Sequence, residues 1–251
     1  MSKILKKEVV DFKRYLNGYE FTTTLPGSGK SVTFKPVTTL AMKKLLSSWN
    51  DNDVSVENAL DNLITDCITD VDFSIDDLYI ADRLYLLIEI RKKSKGSFIE
   101  FTYDCKKCES QSIQKIDLNK LNVKKLDLSK GRDIVKLDEN ISVRLTPLTR
   151  RIQKKAADKI KDINDADKNI ERVIVTYAFC IKEIMLPEGS IKDPPFEDAY
   201  EFVKNCYDFM FNKIRDWFDN YDFGIDLEYE IKCPHCNLED KIEVPIENFF
   251  Y

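Results

Sequence analysis

Histidine is almost missing: His235 stands alone in 251 residues. A Ser-His-Asp or Cys-His catalytic arrangement would have to run through that one ring, which lies inside a C-x-x-C pair. No H-E-x-x-H motif occurs, so that zinc-protease pattern is excluded. Long apolar runs are missing as well. No stretch approaches the roughly twenty residues of a membrane span, and MSKILKKEVVDFKRYL lacks a signal-peptide core. There is no cationic excess either. The formal net charge is −5, which lends no support to nucleic acid as a partner. The expectation is a chain that folds in a reducing cytoplasm, with no membrane and no small-molecule substrate as partners.

What is present is ordinary for a globular protein. Hydrophobic residues make up 43% and charged residues 33%, enough apolar material for one large domain or two small ones. The 44 acidic residues include no pair that the pattern singles out as a general acid and base, and solvated helix faces account for nearly all of them.

Thr24-Leu25-Pro26-Gly27-Ser28-Gly29-Lys30-Ser31 resembles a phosphate loop, G-x-x-x-x-G-K-[ST], but Thr24 stands where the first glycine belongs. A phosphate loop opens a helix. Here Ser31 leads instead into the alternating run Val32-Thr33-Phe34-Lys35, so the spacing predicts a hairpin with Pro26-Gly27-Ser28-Gly29 as its turn.

Two stretches then read alike. Ser31 to Thr38 is SVTFKPVT and Ser142 to Thr149 is SVRLTPLT, at an offset of 111 residues. Thr38 and Thr149 both read as helix N-caps. Further on, Ile99 to Cys108 aligns with Leu227 to Cys236 at an offset of 128 residues, and each segment reads strand, C-x-x-C, strand. The second unit would be about seventeen residues longer, with the extra length around Pro187 to Pro195. The counterpart of Gly27-Ser28-Gly29-Lys30 is Asp138-Glu139-Asn140-Ile141, which has no phosphate chemistry. The expected fold class is therefore α+β: two related modules, each a β-hairpin followed by helices and a strand–CxxC–strand half of a zinc ribbon. The expected boundaries are an N-terminal arm at 1–19, a first module at 20–126 and a second at 132–251.

Between hairpin and cysteines each module reads as helical. Val56, Ala59, Leu60, Leu63, Ile64, Cys67 and Ile68 repeat at the spacing of one helix face. Ser74 with Asp77 predicts a capped start for a helix through Leu78, Leu84, Leu87 and Ile88, stopped by Gly96. In the second module Ile170, Val173, Ile174, Tyr177, Ala178, Ile181 and Met185 predict a face that Pro187 ends. Phe196 to Phe218 reads as one further helix with aromatic core residues. Cys67, Cys180 and Cys206 read as small buried hydrophobes. The apolar end Ile246 to Tyr251 either packs back onto the core or docks into a neighbour. The basic stretch Lys3 to Arg14 is either a surface helix or a partner-binding arm.

Seven cysteines form an odd set, four of them in two C-x-x-C pairs, and in a reducing compartment metal binding is favoured over a disulfide framework. Each pair presents two sulfurs on one side of a tight turn, so two turns can place four thiolates around one zinc ion. Because 124 residues separate the pairs, an ordinary short zinc ribbon is excluded. Modules packed about a pseudo-twofold axis would let Cys105, Cys108, Cys233 and Cys236 share one structural Zn²⁺ per chain. His235 could replace one sulfur, but the reading places it exposed on the knuckle. The readings left open are a nucleic-acid-binding ribbon, with Lys106, Lys107 and Lys115 nearby, and a thiol redox pair of the CPHC kind. The redox reading conflicts with the strand, not helix, that follows each pair.

The ordered combination of Phe34-Lys35-Pro36-Val37-Thr38, the helices to Lys95-Gly96, Tyr103 to Cys108 and Ile116-Asp117-Leu118 resembles the baseplate hub assembly proteins of T-even-type contractile-tailed bacteriophages. The resemblance is clearest over residues 30 to 121. It implies a non-enzymatic structural or assembly role in the virion tail baseplate, with other phage tail proteins as partners and assembly in the host cytoplasm. Only Cys105 and Cys108 match the family's cysteine motif directly. Cys233 and Cys236 join the set through the internal alignment.

Overall fold

The computed structural model describes residues 18–49, 55–128, 131–161, 163, 168–220, 223–246 and 249–250. The arm segment Lys3 to Arg14 and Tyr251 lie outside the described residues. The architecture is α+β, with helices set among small antiparallel sheets. Among the described residues no helix is long and apolar enough to cross a membrane.

The hairpin of β1 (Phe21–Thr24) and β2 (Ser31–Phe34) comes first, then α1 (Thr39–Trp49), α2 (Val56–Cys67) and α3 (Ile80–Lys95). A ribbon of β3 (Phe98–Asp104) and β4 (Gln111–Asp117) follows, and a short strand, β5 (Val123–Lys124), comes after it. A second hairpin, β6 (Ile134–Lys136) with β7 (Ser142–Leu145), leads into α4 (Arg150–Lys159) and α5 (Lys168–Cys180). The strands β8 (Ile181–Leu186) and β9 (Gly189–Lys192) extend that hairpin into a four-stranded sheet in chain order. The helices α6 (Phe196–Lys204) and α7 (Asp208–Asn220) follow. Last come β10 (Gly224–Ile225), which pairs with β5, and the ribbon of β11 (Glu228–Lys232) and β12 (Glu239–Glu243).

Both predicted threonine caps form: Thr38 Oγ1 accepts from the Ala41 N–H at 3.1 Å and Thr149 Oγ1 from the Ile152 N–H at 3.2 Å. Gly96 ends α3 at φ +87, its N–H donating to the Lys92 carbonyl at 3.1 Å. Both helix pairs return to their hairpin in the same way. The Lys35 N–H donates to the Cys67 carbonyl at 2.8 Å, and the Thr146 N–H donates to the Cys180 carbonyl at 2.9 Å.

Three helix predictions need correction. Ser74 heads only a single 3₁₀ turn, Ile75–Asp77, with no side-chain cap, and α3 starts later because Tyr79 is held extended by its bridge to Thr149. Ile181 and Met185 belong to β8, not to a helix. Their apolar spacing suits either element, and pairing of β8 with β7 and β9 decides it. The run Phe196 to Phe218 is two helices. The Asn205 side chain folds back to donate to the Glu201 carbonyl at 2.7 Å, which closes α6, and the Tyr207 carbonyl opens α7 by accepting from the Met210 and Phe211 N–H groups.

Two main cores fill the interior. The first joins Phe34, Leu63, Ile64 and Leu86 to Ile116 and Leu118, and also takes in Val244, Phe249 and Phe250 from the far end of the chain. The apolar end therefore packs back, with Phe249 fully buried. The second core gathers Val143, Leu145, Tyr177, Ile181, Val203 and Ile214. Each such side chain removed from water contributes about 1.5–3 kcal/mol.

The phosphate-loop lookalike is a hairpin tip, and the anion it wraps is the protein's own. The Gly27 and Ser28 N–H groups donate to the two carboxylate oxygens of Asp82 at 2.6 and 2.8 Å. Asp82 is fully buried in the first turn of α3, where the helix N-terminus also favours negative charge. The second hairpin tip satisfies itself instead, since Asp138 accepts from the Asn140 and Ile141 N–H groups of its own turn. A Cβ on Gly27 would lie 2.5 Å from the Phe223 ring and 2.8 Å from Asp82 Oδ1. Gly27→Ala is thus expected to cost about 1–3 kcal/mol in urea denaturation. An unchanged midpoint would mean that the tip is not clamped there.

Candidate metal centre

Each C-x-x-C pair sits in the turn of a two-stranded ribbon, and the two turns are built alike. The Cys105 N–H donates to the Ser110 carbonyl at 3.1 Å and the Glu109 N–H to the Cys105 carbonyl at 2.9 Å. In the second turn the Cys233 N–H donates to the Leu238 carbonyl at 2.8 Å and the Asn237 N–H to the Cys233 carbonyl at 3.0 Å. Glu109 and Asn237 both take the left-handed conformation, at φ +56 and +57. The tip of the first hairpin has the same bonding, Leu25 N–H to Lys30 carbonyl and Gly29 N–H to Leu25 carbonyl, with Gly29 at φ +67. There a buried leucine stands in the position of the first cysteine.

The two ribbons meet at their turns. The sulfurs of Cys105, Cys108, Cys233 and Cys236 all lie within 4.8 Å of one another. Cys105 Sγ is 3.5 Å from Cys236 Sγ, and Cys108 Sγ is 3.7 Å from Cys233 Sγ. None of the four is in a disulfide. A tetrahedral zinc thiolate with bonds of about 2.3 Å has sulfur–sulfur edges of about 3.8 Å, so the donor set fits. The four cysteines could hold a metal ion between the ribbons, and with four protein ligands such a site leaves no position open for a substrate.

The surroundings favour thiolate on one side. The backbone N–H groups of Cys236 and His235 hold the Cys233 thiol at about 6, despite its burial. Ser110, with Oγ 2.8 Å from Cys108 Sγ, lowers the Cys108 thiol. The Leu238 backbone N–H also favours the Cys236 thiolate, but burial and the three neighbouring sulfurs push that thiol up to about 12. Cys105 and Cys233 are buried, Cys236 half-buried and Cys108 exposed, so the cluster faces solvent on the Cys108 side. His235 is exposed on the knuckle and stands outside the sulfur cluster.

A polar clasp beside the sulfurs carries no signal in the sequence. The Tyr103 hydroxyl donates to Asp240 Oδ2 at 3.1 Å and Lys106 Nζ lies 3.0 Å from the same oxygen, joining one ribbon to the other. Lys106, then Tyr103, hold the Asp240 carboxyl below its ordinary range, while burial and Asp240 push the Tyr103 hydroxyl up to about 12. Only the pairing of the two turns brings these residues together.

The remaining cysteines behave as apolar groups. Burial pushes the Cys67 and Cys180 thiols up to about 12 and Cys206 to about 11. Of the three lysines near the first knuckle, Lys106 is paired with Asp240 and Lys115 lies over the Phe98 ring, 3.5 Å from Glu100.

Comparison with curated proteins and with solved structures gave no match. Residues 17–250 match the family described as T4 bacteriophage base plate protein. With every described residue inside that match, the chain belongs to the T4 bacteriophage base plate protein family.

Proposed function

We propose that the chain is a non-enzymatic structural or assembly subunit of the hub region of a contractile phage tail baseplate. In this reading it consists of two duplicated modules, 20–126 and 132–251, clamped by one structural zinc ion on Cys105, Cys108, Cys233 and Cys236. It folds in the host cytoplasm, and its partners are other baseplate and tail proteins.

The observation that carries the zinc clamp is the convergence of four thiols from two turns that lie more than a hundred residues apart in sequence. A closed four-thiolate site serves shape and offers no turnover. The duplication is supported by the matched knuckles, the matched threonine caps and the matched helix-to-hairpin bonds at Cys67 and Cys180. The family supports the baseplate assignment, and the hub assignment draws on the residues of the first module that resemble hub assembly proteins.

The redox alternative has less support, because both pairs lie between strands, with β4 and β12 directly after them where a redox pair would open a helix. The nucleic-acid alternative would need free cations near the knuckles, and two of the three lysines there are committed locally. The test is genetic. Phage with this gene stopped early should yield tail components but no infective particles, with plating restored when the chain is supplied from a plasmid. Complete, infective tails without it would end the reading.

A further inference from the structure

The two modules touch through a short pairing outside the named strands. Tyr79 bridges Thr149. The Ile80 N–H donates to the Leu148 carbonyl and the Arg150 N–H to the Leu78 carbonyl, each at 2.9 Å. The contact is one-way: a strip preceding α3 of the first module lies on the segment leading into α4 of the second.

Both halves of this contact recur, unused. At the offset that aligns the knuckles, Leu78-Tyr79-Ile80 becomes Cys206-Tyr207-Asp208. The local bonding recurs too, for the Arg83 N–H donates to the Tyr79 carbonyl at 2.9 Å and the Phe211 N–H to the Tyr207 carbonyl at 3.0 Å. At the offset that aligns the hairpins, Leu148-Thr149-Arg150 becomes Val37-Thr38-Thr39, with its threonine capping the following helix in the same way. Among the described residues no backbone bond from another element reaches the Cys206 or Val37 carbonyl, or the Asp208 or Thr39 N–H. Both surfaces face solvent. Tyr207 is 72% exposed and stacks on Phe209, itself 51% exposed; beside Thr38 and Thr39, Leu40 is 65% exposed.

We propose that these two surfaces bind each other between copies of the chain. The Tyr207 strip of one copy pairs with the Thr38 segment of a second, repeating between chains the contact that joins the modules within one. The inference rests on the two-module reading. A second copy is the occupant because the chain carries both halves of the contact and already seats the equivalent strip on the equivalent segment. Each half offers one carbonyl and one N–H, in the positions that pair at Tyr79 and Thr149. Such a head-to-tail contact is heterologous, so it closes into a ring or continues as a filament according to the rotation between copies. It is also weaker than its internal counterpart. Arg83 and Arg150, which brace the internal contact, have Phe211 and Thr39 as counterparts, so the ion pairs are not repeated. Association is therefore reversible and depends on concentration.

Sedimentation velocity on the full chain, from about 1 to 100 μM, reads the outcome directly. The average mass of the wild type should rise across that range. Tyr207→Asp and Leu40→Glu should each stay monomeric at the highest concentration, with melting temperatures within about 2 °C of wild type because both side chains are exposed. An equimolar mixture of the two variants should form dimers and nothing larger, since each retains the surface that the other has lost. A wild type that stays monomeric, variants that still associate, or a mixture that fails to dimerise would each overturn the proposal. Zinc content measured on the same samples separates the two readings. A monomeric wild type holding one zinc per chain retires the interface and leaves the two-module reading standing.

Discussion

Asp61→Ala should cost about 3–5 kcal/mol of stability, the range seen when one member of a buried ion cluster is removed. Asp61 sits on α2 with its side chain 6% exposed, between two guanidinium groups that are also largely buried. Arg83 Nε donates to one of its oxygens at 2.5 Å and Arg150 Nε to the other at 2.7 Å. Arg150 also reaches Asn58, Gln153 and Glu57, and Arg83 donates to the Glu57 carbonyl. Alanine would leave two cations facing one another in low dielectric without their shared carboxylate. For a chain of this size the loss corresponds to a fall in melting temperature of roughly 6–20 °C. The contrast is Glu20→Ala, which removes an exposed pair with Lys35 and should cost less than about 1 kcal/mol. If Asp61→Ala and Glu20→Ala denature alike, the cluster is not what fixes α4 against α2 and α3.

Removing the metal should have the other large effect. The purified chain is expected to hold one zinc by elemental analysis. Stripping it with a chelator should lower stability by several kcal/mol, about 4 kcal/mol for a site saturated a thousandfold above its dissociation constant. Cys105→Ser, which removes a buried ligand, should lose both the zinc and the chelator-sensitive part of the stability. Acid acts in the same direction: bound thiolates carry no proton, so affinity falls as pH falls. The effect stays below the total collapse of isolated zinc fingers, because the first core and the Asp61 cluster also join the two halves of the chain. Full occupancy retained in Cys105→Ser, or a wild type without metal, would refute the shared site.

The parts of this molecule that could be read from the sequence are those whose chemistry is local. Each C-x-x-C is flanked by alternating residues, so both ribbons were legible, and Thr38 and Thr149 each stand before an apolar helical pattern. That four sulfurs should meet required only the likeness of two short stretches. The breaks were harder. Nothing in the aromatic run from Phe196 to Phe218 announces that Asn205 will turn its side chain back onto Glu201. Ile181 and Met185 satisfy a helix face, and only sheet partners distant in sequence make them a strand. Asp61 and Asp82 were hidden among 44 acidic residues, because their partners lie 22 to 89 and 54 to 55 positions away. Burial of a carboxylate is a property of the assembled core, and no neighbour in the chain records it.

Phe249 and Phe250 lie in the same core as Phe34 and Leu63, and this sets a timetable for synthesis. When residues 20–126 have left the ribosome, their apolar interior still lacks part of its filling, which must wait until residue 250 has emerged. Nascent chains halted before that point should bind holdase chaperones, and chains released after residue 250 has emerged should bind them less.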